Sequence, residues 1–279
     1  MNPVQVKDIA IGAGAPLVLI AGPCVVENYD ITMRTAERVK VIAEKHDVPF
    51  IFKCSYRKAN RTSGESFMGI GIEEALRILA KVKQKLDVPI LTDVHTEHEV
   101  APATEVADII QIPAFLCRQT ELLQAAGRTG KVVNIKKGQF MAPEDMKYQA
   151  EKVRAVGNDK ILLTERGTTF GYHNLVVDMR SLSIMRGLGY PVVLDATHSV
   201  QLPSSEGNSR TVRSGGQPEF IFPIARAGVA AGVDALFLET HPKPKEALSD
   251  ASSQLHLDLL EELVKQVVRI DAVVKRFKV

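Results

Sequence analysis

The chain has 279 residues, of which 45% are hydrophobic and 24% charged, with a net charge of +2. That composition supports a sizeable buried core and excludes long-range disorder, while the near-neutral balance gives no sign of a nucleic-acid surface. No apolar run reaches the ~18 residues of a membrane span, no basic leader precedes the N-terminal stretch, and three widely spaced cysteines suit a reducing cytoplasm better than a disulfide framework.

In chain order, residues 4–15 are expected to form a small β-hairpin that plugs the floor of the fold. Short runs of Val, Ile, Leu and Phe then recur: Leu17–Ala21, Phe50–Lys53, Ile90–Asp93, Asp108–Ile112, Val132–Ile135, Ile161–Glu165, Val192–Asp195 and Ala235–Glu239. Continuous rather than alternating apolarity marks parallel strands covered on both faces. Helical patterns lie between them. Asp30 is the expected cap of a helix carrying Ala36, Val39, Ile42 and Ala43, and Pro143 opens another at a first-turn position. From about Leu257, a final helix carries Leu260, Leu263, Val267, Ile270 and Val274 on one stripe. Eight strand–helix units in this length, with no composition break, predict a single (β/α)₈ TIM barrel over residues 1–279. An open dinucleotide-binding sheet would need a G-x-G-x-x-G turn after a strand; Gly12-Ala13-Gly14 and Gly69-Ile70-Gly71 are too short and wrongly placed. Two connections, Lys58–Gly71 and Pro203–Gly216, are longer than a barrel requires and lie on the C-terminal side of their strands. Such loops are expected to be lids or binding loops, or else disordered.

The strands finish on chemistry. Their ends read Ala21-Gly22-Pro23-Cys24, Lys53, Thr92-Asp93-Val94-His95, Lys136-Lys137-Gly138, Glu165-Arg166-Gly167, Asp195-Ala196-Thr197-His198 and Glu239-Thr240-His241. Any one of these could be a solvated loop residue, but together they line the face where barrel enzymes act. Lys53, Lys58, Arg61, Lys136 and Arg166 converge on one mouth, in excess over the carboxylates expected to pair with them, which points to a phosphorylated ligand that also carries a carboxylate. Cys24, His198, Glu239 and Asp250 suit a borderline divalent metal, although no ligand-spacing motif joins them. On chemistry alone, a metal centre and a set of packed structural residues remain open alternatives. Cys54 and Cys117 lack comparable partners and read as structural.

These motifs carry a family likeness over essentially the whole chain. Ala21-Gly22-Pro23-Cys24, Phe52-Lys53-Cys54-Ser55, Lys58-Ala59-Asn60-Arg61-Thr62-Ser63, Leu91-Thr92-Asp93-Val94-His95, and Gln111 through Gln119 fall in order. So do Asn134-Ile135-Lys136-Lys137-Gly138-Gln139-Phe140, Glu165-Arg166-Gly167, Asp195 through Gln201 and Glu239-Thr240-His241-Pro242. The set resembles the 3-deoxy-D-manno-octulosonate 8-phosphate synthases. The resemblance implies a barrel transferase that condenses phosphoenolpyruvate with D-arabinose 5-phosphate and water and releases phosphate, in lipopolysaccharide core biosynthesis. A sister family, the 3-deoxy-D-arabino-heptulosonate 7-phosphate synthases, takes erythrose 4-phosphate and typically reads Lys-Pro-Arg-Thr-Ser where this chain has Lys58-Ala59-Asn60-Arg61-Thr62-Ser63.

Residue by residue, the likeness implies Lys136 and Arg166 at the phosphoenolpyruvate phosphate, with Lys53 and Lys58 near its carboxylate. Asn60, Arg61 and Ser63 would hold the pentose phosphate, with Arg118 reaching in from a neighbouring subunit of a homotetramer. Cys24, His198, Glu239 and Asp250 would bind zinc, iron(II) or manganese, since metal-independent relatives have Asn where Cys24 stands. Asp93 and His198 are the proton-transfer candidates, and Lys53 completes the catalytic set. Two other classes are open: a Schiff-base aldolase with Lys53 as nucleophile, and a non-catalytic phosphate binder, which would have no use for the metal set.

Overall fold

The computed structural model describes residues 3–59, 67–169, 174–206 and 213–277, without the side chains of 203–206 and 213–214. The chain opens with β1 (Val4–Val6) and β2 (Ile9–Ile11), paired antiparallel. There follow β3 (Val18–Gly22), α1 (Tyr29–Lys45), β4 (Phe50–Lys53), α2 (Ile72–Leu86), β5 (Ile90–Asp93), α3 (Glu97–Val106), β6 (Ile109–Ile112) and α4 (Thr120–Arg128). The rhythm continues through β7 (Val132–Lys136), α5 (Met146–Arg154), β8 (Ile161–Glu165), α6 (Met179–Gly187) and β9 (Val192–Asp195). It ends with the hairpin strands β10 (Gln201–Glu206) and β11 (Arg213–Gly216), then α7 (Ile221–Ala230), β12 (Ala235–His241), β13 (Leu255–His256) and α8 (Leu257–Val274). Strands β3 to β9 pair in parallel sequence, and β12 pairs with both β9 and β3, which closes the barrel. This is the (β/α)₈ TIM barrel with an N-terminal hairpin that the sequence predicts.

Alternation along each strand divides the core in two. Leu19, Phe50, Phe52, Ile110, Val133 and Leu163 pack outward against the helices. Val18, Ile20, Ile51, Leu91, Val132 and Phe237 fill the bore together with Val4, Val6, Ile9 and Ile11 of the hairpin. The hairpin therefore seals the floor with apolar side chains. Above the apolar layer, Asn134 donates to Gln111 Oε1 at 3.0 Å and accepts from the Thr164 hydroxyl at 2.6 Å. These amides and the hydroxyl satisfy one another inside the barrel and lead up to the charged rim.

Local details depart from the sequence reading at several points. The cap of α1 is Asn28, whose side chain accepts the Ile31 N–H at 2.9 Å; Asp30 lies inside the first turn, where its charge complements the helix dipole. The connection after β9 is not wholly irregular, because β10 and β11 pair across it, and residues 207–212 lie outside the described residues. β13 pairs in parallel with Thr240 and His241, which extends β12 past the rim; at two residues it is too short to leave a periodic signal. Among the described residues, no helix is long and apolar enough to cross a membrane.

Candidate active site

The same alternation that fills the bore builds the site. Two residues beyond Ile51, Leu91, Asn134, Val193 and Phe237 on their strands stand Lys53, Asp93, Lys136, Asp195 and Glu239, and all are buried. Each strand therefore delivers a charged side chain one pleat above its last uncharged layer. Gly22 is required where β3 meets β4: a Cβ there would lie 2.0 Å from the Lys53 carbonyl oxygen. This close approach lets the chain turn through Pro23 and seat Cys24 against the rim.

One side of the bowl is acidic and sulfur-bearing. Cys24, Glu239 and Asp250 offer ligand atoms that all lie within 4.8 Å of one another. Cys24 Sγ is 3.1 Å from Asp250 Oδ2 and 2.9 Å from the Ser249 hydroxyl. His198 Nδ1 lies 2.7 Å from Asp195 Oδ2, so the ring donates there and turns Nε2 to within 3.7 Å of both Glu239 Oε2 and Asp250 Oδ2. A histidine oriented by a carboxylate behind it is a recurring arrangement at metal sites. Two observations test the fit. Glu239 Oε2 is buried without a hydrogen-bond partner among the described residues. Burial, with Asp250 and Glu239 alongside, also pushes the Cys24 thiol well above its ordinary range, a state that a divalent cation would reverse. The residues present can hold one.

The other side is cationic. Lys136 Nζ lies 2.5 Å from Asp195 Oδ2 and 4.8 Å above the Phe237 ring. Arg166 reaches Gln201 Oε1 at 2.9 Å, and its Nε is buried without a partner among the described residues. Burial draws both Lys136 and Arg166 down despite Asp195 nearby, so this wall gains by meeting an anion. Lys53 donates to Glu239 and, at 3.1 Å, to the Cys24 carbonyl. Lys58 donates to the Ser55 hydroxyl at 2.9 Å and stands 3.8 Å from Glu239 Oε1. Burial alone would lower Lys53, but Glu239, Cys24 and Asp93 together outweigh it and keep the amine charged, a poor state for a Schiff-base nucleophile. For Asp93, burial is outweighed by Lys58, His95 and Lys53, which hold the carboxyl well below its usual range. Its Oδ1 has no hydrogen-bond partner among the described residues.

Several expectations change at this level. The described rim cations do not exceed their acids, because Asp93, Asp195, Glu239 and Asp250 stand among Lys53, Lys58, Lys136 and Arg166. Lys136 and Arg166 gather on one wall, where burial disfavours their charges although Asp195 stands beside them. Glu165 turns out of the bowl, accepting the Arg166 and Gly167 N–H groups at 2.9 and 2.7 Å and the Ser181 hydroxyl at 2.7 Å. Arg118 is exposed on the turn after β6, outside this chain's own cluster, where a residue meant for a neighbouring subunit would lie. Asn60, Arg61 and Ser63 lie outside the described residues. Sequence reasoning missed Gln201, which donates to Asp250 Oδ1 at 3.0 Å while accepting from Arg166, and also Ser249; the position of Gln201 at the end of the Asp195–Gln201 motif was an available signal.

The sequence model of the DAHP synthetase I family matches residues 1–276. The chain belongs to this family. Among its relatives, a 2-dehydro-3-deoxyphosphooctonate aldolase of Citrifermentans bemidjiense is 56% identical over 273 residues, 98% of each chain. Those of Geobacter metallireducens and Geobacter sulfurreducens, with the same name, are 56% and 55% identical over 272 residues, again 98% of each chain. That name denotes the octulosonate 8-phosphate synthases that the strand-end motifs resemble. Within the DAHP synthetase I family, these relatives stand on the octulosonate side rather than the heptulosonate side.

Proposed function

We propose that the protein condenses phosphoenolpyruvate with D-arabinose 5-phosphate and water, giving 3-deoxy-D-manno-octulosonate 8-phosphate and inorganic phosphate. One observation carries this. The bowl divides into a cationic wall of Lys136 and Arg166 and an opposed cluster of Cys24, Glu239 and Asp250, in a chain 56% identical to a 2-dehydro-3-deoxyphosphooctonate aldolase. In the reaction, C3 of the enol attacks the aldehyde carbon while water adds at C2, where positive charge develops. Lys136 and Arg166 hold the phosphate, and Lys53 and Lys58, both buried, hold the carboxylate without crowding C2. The aldehyde oxygen gains a proton as the new bond forms, and the adding water loses one; the hemiketal phosphate so formed at C2 then breaks its C2–O bond, expelling phosphate as the remaining hydroxyl gives up its proton to leave the ketone. Asp93, whose Oδ1 has no hydrogen-bond partner among the described residues, is the group we assign to these transfers, whereas His198, with Nδ1 on Asp195 and Nε2 turned to Glu239 and Asp250, serves the cation and not the protons. A divalent cation such as zinc, iron(II) or manganese, held by Cys24, His198, Glu239 and Asp250, would supply positive charge that polarises a water or aldehyde oxygen.

The deciding measurement is product formation with the two acceptor sugars. Arabinose 5-phosphate is expected to exceed erythrose 4-phosphate at least tenfold in kcat/KM, about 1.4 kcal/mol of transition-state binding. Equal or reversed preference moves the protein to the heptulosonate branch. The cytoplasm and a homotetramer complete the proposal, with Arg118 entering a neighbour's site beside the exposed Phe115. Light scattering should then give about four times 30.5 kDa, and a monomer mass would contradict the assembly.

A further inference from the structure

Behind Asp93 runs a chain of buried polar groups that the roles above do not use. Asp93 Oδ2 lies 3.2 Å from His95 Nε2, while Oδ1 has no hydrogen-bond partner among the described residues. The other ring nitrogen of His95, Nδ1, is 3.2 Å from Glu99 Oε2. That oxygen also accepts the Tyr56 hydroxyl at 2.5 Å and the His95 backbone N–H at 2.9 Å, and Glu99 Oε1 faces Arg57 at 2.6 Å. Tyr56 is fully enclosed, and its ring meets His95 edge-on with centroids 6.3 Å apart.

Closing the first turn of α3 would account for the bond from the His95 N–H to Glu99. It does not account for a fully buried tyrosine hydroxyl on the same oxygen, nor for the two carboxylates that bracket the imidazole. Burying such a set is costly unless its members satisfy one another, and once satisfied it is rigid. Here the rigid end is Asp93. With Oδ2 tied to His95, rotation of the carboxylate is restricted, and Oδ1 is left as the free acceptor beside the charges of Lys58 and Lys53.

We propose that Glu99 and Tyr56 are positioning residues for the condensation, acting through His95 to hold the Asp93 carboxylate with its free oxygen toward the substrates. This rests on Asp93 being a proton-transfer group, as proposed above. Misplacing a reacting group by about 1 Å can cost about 10²-fold in rate. Glu99→Gln keeps the shape and removes the charge that orients His95. Its kcat should fall ten- to a hundredfold, with KM for phosphoenolpyruvate changed by less than about threefold, because Lys136 and Arg166 are untouched. Placed on Asp93→Asn, the same change should cost less than about twofold, since its effect runs through a carboxylate already removed. Tyr56→Phe, which removes one hydroxyl, should give a smaller loss with the same non-additivity, and it decides alone if Glu99→Gln does not fold. Losses that multiply in the double variants, or single variants that lower only the melting temperature at unchanged kcat, overturn the positioning role. Full kcat in Asp93→Asn instead overturns the assignment of Asp93 itself, and the positioning role with it.

Discussion

Lys53→Met separates what the buried pair contributes to stability from what it contributes to chemistry. Lys53 and Glu239 have side chains 1% exposed each, and the ammonium donates to Glu239 Oε1. Methionine keeps the stem but strands the carboxylate, and removing one partner of a buried pair costs about 3–5 kcal/mol. Lys58, 3.8 Å from the same oxygen, compensates in part, which sets the expected loss near the lower end, about 3 kcal/mol. At roughly 2–4 °C per kcal/mol for a chain approaching this length, the melting temperature should fall by about 6–12 °C. The assay is thermal unfolding of metal-free protein at fixed scan rate, so that no bound ion contributes. Adding Glu239→Gln should recover about half of the loss, because the buried anion is gone. A melting temperature within about 2 °C of the parent, or a double variant that loses the sum of both single losses, would refute the claim that Lys53 is there to neutralise Glu239.

Stability should also follow pH with a definite sign. Burial is outweighed by Lys53, His198 and Lys58 at Glu239, holding it at about 2 against an ordinary 4.5, and Asp93 and Asp195 are likewise held low. These lowered carboxyls contribute stability that is complete above their unfolded values and is lost as pH falls through their folded ones. Glu239 alone accounts for about 3 kcal/mol between roughly pH 5 and pH 2. Urea midpoints of metal-free protein should be flat from pH 7 to 5 and fall below about 4.5; midpoints unchanged at pH 3 would contradict the assignment. Chelation should abolish turnover, with zinc, manganese or iron(II) restoring it. Cys24→Asn should lose its response to chelator while keeping some activity, whereas His198→Ala should be inactive with or without metal. Full activity after exhaustive chelation, with no metal found by elemental analysis, would leave Cys24 as a packed thiol.

The barrel was legible in the sequence because its strands are covered on both faces. Ile90–Asp93 and Ile161–Glu165 are buried throughout, so they appear as short apolar runs that pass through one threonine and end in charge. The strand ends of one rim could be read for the same reason: a period of two carries Lys53, Lys136 and Glu239 inward whenever the residues two before them fill the bore. Lys53, Asp93, Lys136 and Glu239 are therefore candidates from the sequence alone. Partner choice was not. That Lys53 takes Glu239, that Glu165 turns outward to Ser181, and that Tyr56 meets Glu99 depend on side-chain direction and on which strands close against each other. Cys24 and Asp250, 226 residues apart, come within 3.1 Å only because β12 joins β3 and because β13 carries the intervening loop back over the rim. Local sequence sets which residues lie on the inner face of each strand, since that follows from the pleat. Which of them touch follows from closure of the ring, a long-range event to which no single window of sequence responds.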